Sequence, residues 1–196
     1  MEKLILLTVV SILIGFNVQG QETFKISPEK STIEWLGEKV TGAHSGYINL
    51  QSAFFLFEDK KFVGGEFNID MNSIKCTDIE NRTYASKLEE HLKDPDFFNS
   101  SKYPTSNFKI SNIIFDGTSY MITGNITIKE ITQEITFPAK FENDGDIFHA
   151  NATLKIDRTK HDIKYGSGSF FDDLGDRMIY DEFTLKINLQ GSKAKD

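Results

Sequence analysis

The sequence predicts an all-β protein, an extended antiparallel β-barrel of about eight strands with one helix-containing insert. Three observations predict it. Apolar residues recur at every second position along a series of runs, short turn-forming clusters separate those runs, and one central segment switches to helical spacing.

The first twenty residues are set apart from this pattern. Met1-Glu2-Lys3 precedes an apolar stretch from Leu4 to Phe16, and Val18 and Gly20 offer small-side pairs for a signal peptidase. The expected reading is a secretory signal over residues 1–20, cleaved after Gly20. The stretch is shorter than the roughly 20 apolar residues a spanning helix needs. Residues 21–196 then form a single domain, exported to the periplasm or secreted, with no stable membrane insertion expected.

The strands follow in order. Ile33 and Trp35 alternate with Thr32 and Glu34, and Gly46, Ile48 and Leu50 with Tyr47 and Asn49. Phe67, Ile69 and Met71 alternate with Glu66, Asn68 and Asp70. Later runs place Gly124, Ile126 and Ile128, then Phe137, Ala139 and Phe141, then Ala150, Ala152, Leu154 and Ile156, and finally Phe183, Leu185, Ile187 and Leu189 on one face. Such runs have one wet and one dry side. Glu58-Asp59-Lys60-Lys61, Asp116-Gly117 and Asn143-Asp144-Gly145-Asp146 lie between runs and have hairpin-loop chemistry.

The helix is expected over 79–93. Tyr84, Leu88 and Leu92 recur on one face, Asp78 is a suitable N-cap, and Pro95 stops the helix near Asp94. Glu89 and Glu90 read as part of a solvated face. Between 157 and 181 the alternation is lost, and a segment of that length inside a domain is a candidate functional loop at one end of the barrel.

Composition narrows the function. The net charge is −7 and no basic cluster occurs, which disfavours nucleic acid and anionic surfaces as partners. Cys76 is the one cysteine, so no internal disulfide forms, and it reads as a small packed residue. His44, His91, His149 and His161 show no metal-ligand spacing, and Asp172, Asp173 and Asp176 do not match a calcium loop, so no metal site is expected. No Gly-x-Ser-x-Gly, phosphate loop or dinucleotide fingerprint is present. The residues thus point to no enzyme, no catalytic residues and no cofactor. Exposed edge strands and the insert offer surfaces for a homodimer, which no residue run dictates. A barrel of about eight strands is either filled by side chains or holds one ligand. Gly46, Gly124, Ala139, Ala150 and Ala152 would leave room if they clustered.

Several short motifs in order carry a family resemblance. They are Ser31-Thr32-Ile33-Glu34-Trp35, Val40-Thr41-Gly42-x-His44-x-Gly46 and Gly64-Gly65-Glu66-Phe67-x-Ile69-Asp70-Met71, then His91-Leu92, Asp96-Phe97-Phe98 and Lys102-Tyr103-Pro104-x-x-x-Phe108. Gly124-Asn125-Ile126-Thr127-Ile128-Lys129 and Asp157-Arg158-Thr159 complete the series. Over about residues 24–190 the chain resembles the YceI-like family of exported bacterial proteins, a lipocalin-like, polyisoprenoid-binding fold. The resemblance implies an elongated apolar tunnel for an isoprenoid or other long-chain lipid, such as a fatty-acyl chain, and no catalysis. Two positions depart from the family pattern. Glu130 stands where a turn glycine is usual, and His161 where an aromatic or small apolar residue is commoner.

With that resemblance, the alternation assigns a ligand wall of Ile33, Trp35, Ile48, Phe67, Ile69, Met71, Phe108, Ile126, Ile128, Phe183 and Leu185. Arg158 and His161 are expected at the head-group end. Arg158 either binds a phosphate bidentately or pairs with Asp157 or Asp181 to fix the loop. The expected function is non-catalytic carriage of a long-chain lipid in the periplasm. The alternative is a filled-barrel protein-interaction or stress-response module.

Overall fold

The computed structural model describes residues 21–59, 61–144 and 146–194. The expected signal segment lies outside the described residues. Among the described residues, nine strands and one α-helix follow in the order β1 (Gln21–Ile26), β2 (Thr32–Lys39), β3 (Gly42–Glu58), β4 (Lys61–Cys76), α1 (Arg82–Lys93), β5 (Thr105–Phe115), β6 (Tyr120–Ile128), β7 (Ile131–Asp144), β8 (Ile147–Asp157) and β9 (Ile179–Lys193).

Every pairing is antiparallel, and β3 pairs with β4 as well as with β1 and β2, so the sheet closes on itself. Both β1 and β2 sit between β3 and β9, one after the other, and together fill one place in the wall. The result is an eight-position antiparallel barrel, as the period-two pattern predicts. Closure removes the free edges that an open sheet of this size would expose.

Antiparallel order sends alternate connections to opposite ends. The three turn clusters predicted at 58–61, 116–117 and 143–146 fall at the β3–β4, β5–β6 and β7–β8 hairpins, and all lie at one end. Asp116 shows why such clusters turn the chain. Its carboxylate accepts from the backbone N–H of Thr118 and of Ser119, each at 2.8 Å.

That end is plugged by aromatic rings. Phe55 meets Phe148 at 4.7 Å between centroids, Phe62 meets Phe141 at 4.6 Å, and Phe24 meets Phe57 at 4.9 Å. The high Phe content is therefore concentrated structurally. Offset and edge-on pairs of this kind each add about 0.5–1.5 kcal/mol beyond burial.

The opposite end carries the β2–β3 hairpin, the insert with α1, the β6–β7 turn and the 158–178 segment. Here the helix differs from expectation. It starts at Arg82, and the side chain of Asn81, not Asp78, caps it by accepting from Thr83 N at 3.0 Å. Tyr84 is exposed, whereas Ala85 and Glu89 are buried. Glu89 is not solvated. It accepts from Lys75 Nζ and Arg82 Nη2, each at 3.0 Å, and from Cys76 N at 3.1 Å. A carboxylate facing β4 thus holds the helix to the barrel, a contact that hydrophobic periodicity does not register. Burial alone would raise the Glu89 pKa, but these donors hold it at about 2.

Candidate functional site

Between the aromatic plug and the helical end lies an elongated cavity of about 270 Å³. At about 30 Å³ per molecule in the liquid, that is the volume of about nine waters. Lining side chains on β9 run from Ile179 to Leu189. Ten residues at about 3.3 Å each, tilted by about 40°, span about 25 Å along the barrel axis.

All eleven residues assigned to the wall from alternation line this cavity, from Ile33 on β2 to Leu185 on β9. The strands bring them together because inward positions of neighbouring strands stand side by side in register. Phe67 pairs with Phe108, Phe108 with Ile126, and Trp35 with Leu185. The small residues cluster in part. Ala139 lies opposite Ala152, and Ala150 is two positions away on the same face. These three line the cavity and account for part of its width. Gly46 and Gly124 do something else, because each lets a backbone or ring approach closely.

The insert supplies a cover that alternation could not reveal. Leu88 and Leu92 of α1 and the following Phe97 and Phe98 line the helical end of the cavity. A tight turn sets their direction, with Phe98 N donating to Leu92 O and Phe97 N to Asp94 O. The 158–178 segment packs on this cover. The Tyr165 ring lies 4.7 Å from His91 and 5.4 Å from Phe97. The mouth lies beside the β2–β3 hairpin, where the lining residues Glu38, Lys39 and Ala43 are exposed.

Arg158 reaches the cavity wall, but its guanidinium is taken up by the loop. It donates to the carbonyls of Ile163 at 2.7 Å, Ile179 at 3.0 Å and Tyr180 at 3.2 Å. Asp181 lies 3.7 Å away. Burial pulls the Arg158 pKa down, and Asp181 and Asp157 oppose that pull. Of the two roles expected for Arg158, the geometry matches loop fixation.

His161 needs correction, since it is 1% exposed and is not among the residues lining the cavity. Its Nδ1 lies 3.0 Å from Ile131 O behind the barrel wall. Burial depresses the ring's pKa, so it is uncharged at neutral pH and unsuited to an anionic head group. Polar lining residues at the mouth include Glu38, Lys39 and His44, with the exposed Tyr180 and Glu182 on the neighbouring β9.

The YceI-like domain model matches residues 24–191, most of the chain. The chain belongs to the YceI-like family. A UPF0312 protein of Pseudomonas aeruginosa is 34% identical over 123 residues, which cover 58% of this chain and 64% of that protein. Protein YceI of Escherichia coli is 30% identical over 109 residues, 53% of this chain and 54% of that protein. The matches thus span less than two thirds of the length of these relatives.

Solved structures support the fold. Burkholderia cenocepacia BcnA superposes with a TM-score of 0.67 at 23% identity, covering 84% of this chain and 98% of BcnA. A polyisoprenoid binding domain from Saccharophagus degradans, implicated in plant cell wall breakdown, superposes at 0.63 with 9% identity. That match covers 87% of this chain and 98% of the other. At these identities the likeness is one of architecture.

Proposed function

We propose that this chain is a non-catalytic carrier of a long-chain isoprenoid or similar amphiphilic lipid, exported from the cytoplasm and working in the periplasm or outside the cell. The observation that carries the reading is the continuous apolar cavity, walled by residues such as Ile69, Phe108, Ile126 and Phe183 and open beside Lys39. A filled barrel would have no such space.

Energetics favour this cargo. Each methylene removed from water contributes about 0.8 kcal/mol, so a dozen buried carbons supply about 10 kcal/mol against the cost of ordering and association. The wall offers no convergent titratable groups for chemistry at the buried end of the chain, which supports binding over turnover. Family membership and the polyisoprenoid-binding neighbour support the same reading. The head group would rest at the mouth near Lys39 and His44, and the cavity length would select chain length.

The test is native purification from an export-competent host, organic extraction and mass spectrometry. The expected result is a stoichiometric long-chain species, lost when Ile69 and Phe183 are replaced by charged residues in a chain that still folds. A clean extract, with no uptake of polyprenyl or fatty-acyl probes, would overturn the carrier reading and favour the filled-module alternative.

A further inference from the structure

Three chemically different donors meet at the rim of the cavity. The His44 imidazole comes from the start of β3, the Cys76 thiol from the last residue of β4, and the Asp78 carboxylate from the turn that leads to α1. Their ligating atoms all lie within 4.8 Å of one another. Asp78 bridges the other two, with Oδ2 at 3.0 Å from His44 Nδ1 and Oδ1 at 3.1 Å from Cys76 Sγ. From these residues we infer a binding site for one divalent transition-metal ion of the zinc class.

The geometry fits such an ion with small adjustments. Zinc bonds of about 2.3 Å to sulfur and about 2.0–2.2 Å to nitrogen and oxygen, at tetrahedral angles, put ligand atoms roughly 3.3–3.6 Å apart. Asp78 meets His44 through Oδ2 and Cys76 through Oδ1, so whichever oxygen binds keeps one of these contacts, opened by a few tenths of an ångström, and turns towards the other donor. The remaining pair is at most 4.8 Å apart and would close. In the metal-free form the Cys76 thiol donates its proton to Asp78 Oδ1. Binding replaces the thiol proton with the metal and releases it to solvent.

The donor set also selects the ion. A soft thiolate, an imidazole and a hard carboxylate together suit Zn²⁺ better than Mg²⁺ or Ca²⁺, which take oxygen ligands alone. Three protein ligands leave one position for water or an exogenous ligand. Because His44 also lines the cavity, that position adjoins the mouth.

The surroundings pre-set the ligands. Ser45 N donates to Asp78 Oδ1 at 3.1 Å and orients the carboxylate. The Cys76 backbone is held at both ends, its N–H by Glu89 at 3.1 Å and its carbonyl by Arg82 at 3.3 Å. Thr77 N donates to Ser45 O at 3.0 Å, which fixes the β3 and β4 segments against each other. The Ser45 contact is of the kind that orients a ligating carboxylate, and the backbone contacts fix where the Cys76 thiol starts. Burial and the adjacent Asp78 raise the Cys76 pKa, so without metal the thiol is protonated and unreactive.

The test uses the purified full chain after chelator treatment, titrated with Co²⁺ and then Zn²⁺. The expected result is one equivalent of Co²⁺ with a thiolate-to-cobalt charge-transfer absorption, displaced by Zn²⁺, and release of protons on binding. His44→Gln, Asp78→Asn and Cys76→Ser should each weaken Zn²⁺ at least about 100-fold, more than the loss of a supporting contact does. Asp172→Asn in the acidic loop should leave binding unchanged. The wild-type cobalt spectrum is decisive without any variant. Absence of the charge-transfer band at millimolar Co²⁺ in chain folded by circular dichroism overturns the proposal. Affinity unchanged in folded His44→Gln and Asp78→Asn chains also overturns it.

Discussion

The His161 imidazole sits 3.0 Å from the carbonyl of Ile131, the first residue after the β6–β7 turn. Lys129 Nζ reaches back from that turn to Asp162 O at 3.1 Å. Glu130 and His161 thus lie at one junction, where the residues on either side of Glu130 contact the 158–178 segment. The two-residue turn has φ of 50° at Lys129 and 63° at Glu130, both left-handed. This is the hairpin geometry in which glycine is favoured.

Glu130→Gly should therefore stabilise the chain. A left-handed conformation costs a residue with a Cβ about 1–2 kcal/mol, partly offset by the greater freedom glycine loses on folding. The expected gain is about 0.5–1 kcal/mol, measured by chemical denaturation. A loss of stability would mean that the Glu130 side chain contributes more than its backbone strain costs.

Gly46 marks another close approach. A Cβ there would collide with the Lys75 carbonyl oxygen and come within 2.9 Å of the Trp35 ring. Gly46→Ala must part β3 from β4 where Gly46 pairs with Cys76, two residues from His44. The expected cost is about 1–3 kcal/mol. Gly37→Ala is the control, since nothing lies within 4 Å of its added Cβ, and it should change stability by no more than about 0.5 kcal/mol.

Glu89 predicts an acid-dependent loosening of α1. Its pKa falls from an ordinary 4.5 to about 2 on folding. A lowered pKa stabilises the fold fully above about pH 4.5, and the contribution is lost as pH falls towards 2. Complete conversion would give about 3 kcal/mol. Lys75 and Arg82 are each 59% exposed at the side chain, so solvent screening reduces the expectation to about 1–2 kcal/mol. Denaturation midpoints measured from pH 6 to pH 2 should fall less steeply in Glu89→Gln than in the parent chain. Parallel pH profiles would refute this.

What the sequence made legible followed from periodicity. Inward residues such as Ile69, Phe108 and Leu185 are set by the two-residue repeat of a strand, so the cavity wall could be read without coordinates. The repeat is interrupted by bulges, as between Leu50 and Ser52 against β4, and there the long strands looked like short runs. The burial of Glu89 is not legible, because a buried carboxylate with cationic partners has the same letter as a solvated one. The direction of Leu88 and Phe98 depends on a turn between elements, which periodicity does not set. The His44, Cys76 and Asp78 cluster arises from strand pairing across 32 residues, which no local spacing encodes.

Ala152 and Ala53 separate open space from packed core. Ala152 lines the cavity, whereas Ala53 belongs to the buried cluster with Phe55 and is not among the cavity residues. Enlarging Ala53 to Phe forces neighbours from their rotamers and should cost about 1–3 kcal/mol. Ala152→Phe places its ring in space already present, so its cost should be clearly smaller. The same ring occupies volume that a lipid tail would use, so the variant should shift bound species towards shorter chains or lower stoichiometry. Denaturation of both variants and mass spectrometry of extracted Ala152→Phe test this together. Equal destabilisation of the two would show that the cavity wall near Ala152 closes in solution, whereas unchanged cargo in a stable Ala152→Phe would place the bound chain elsewhere along the barrel.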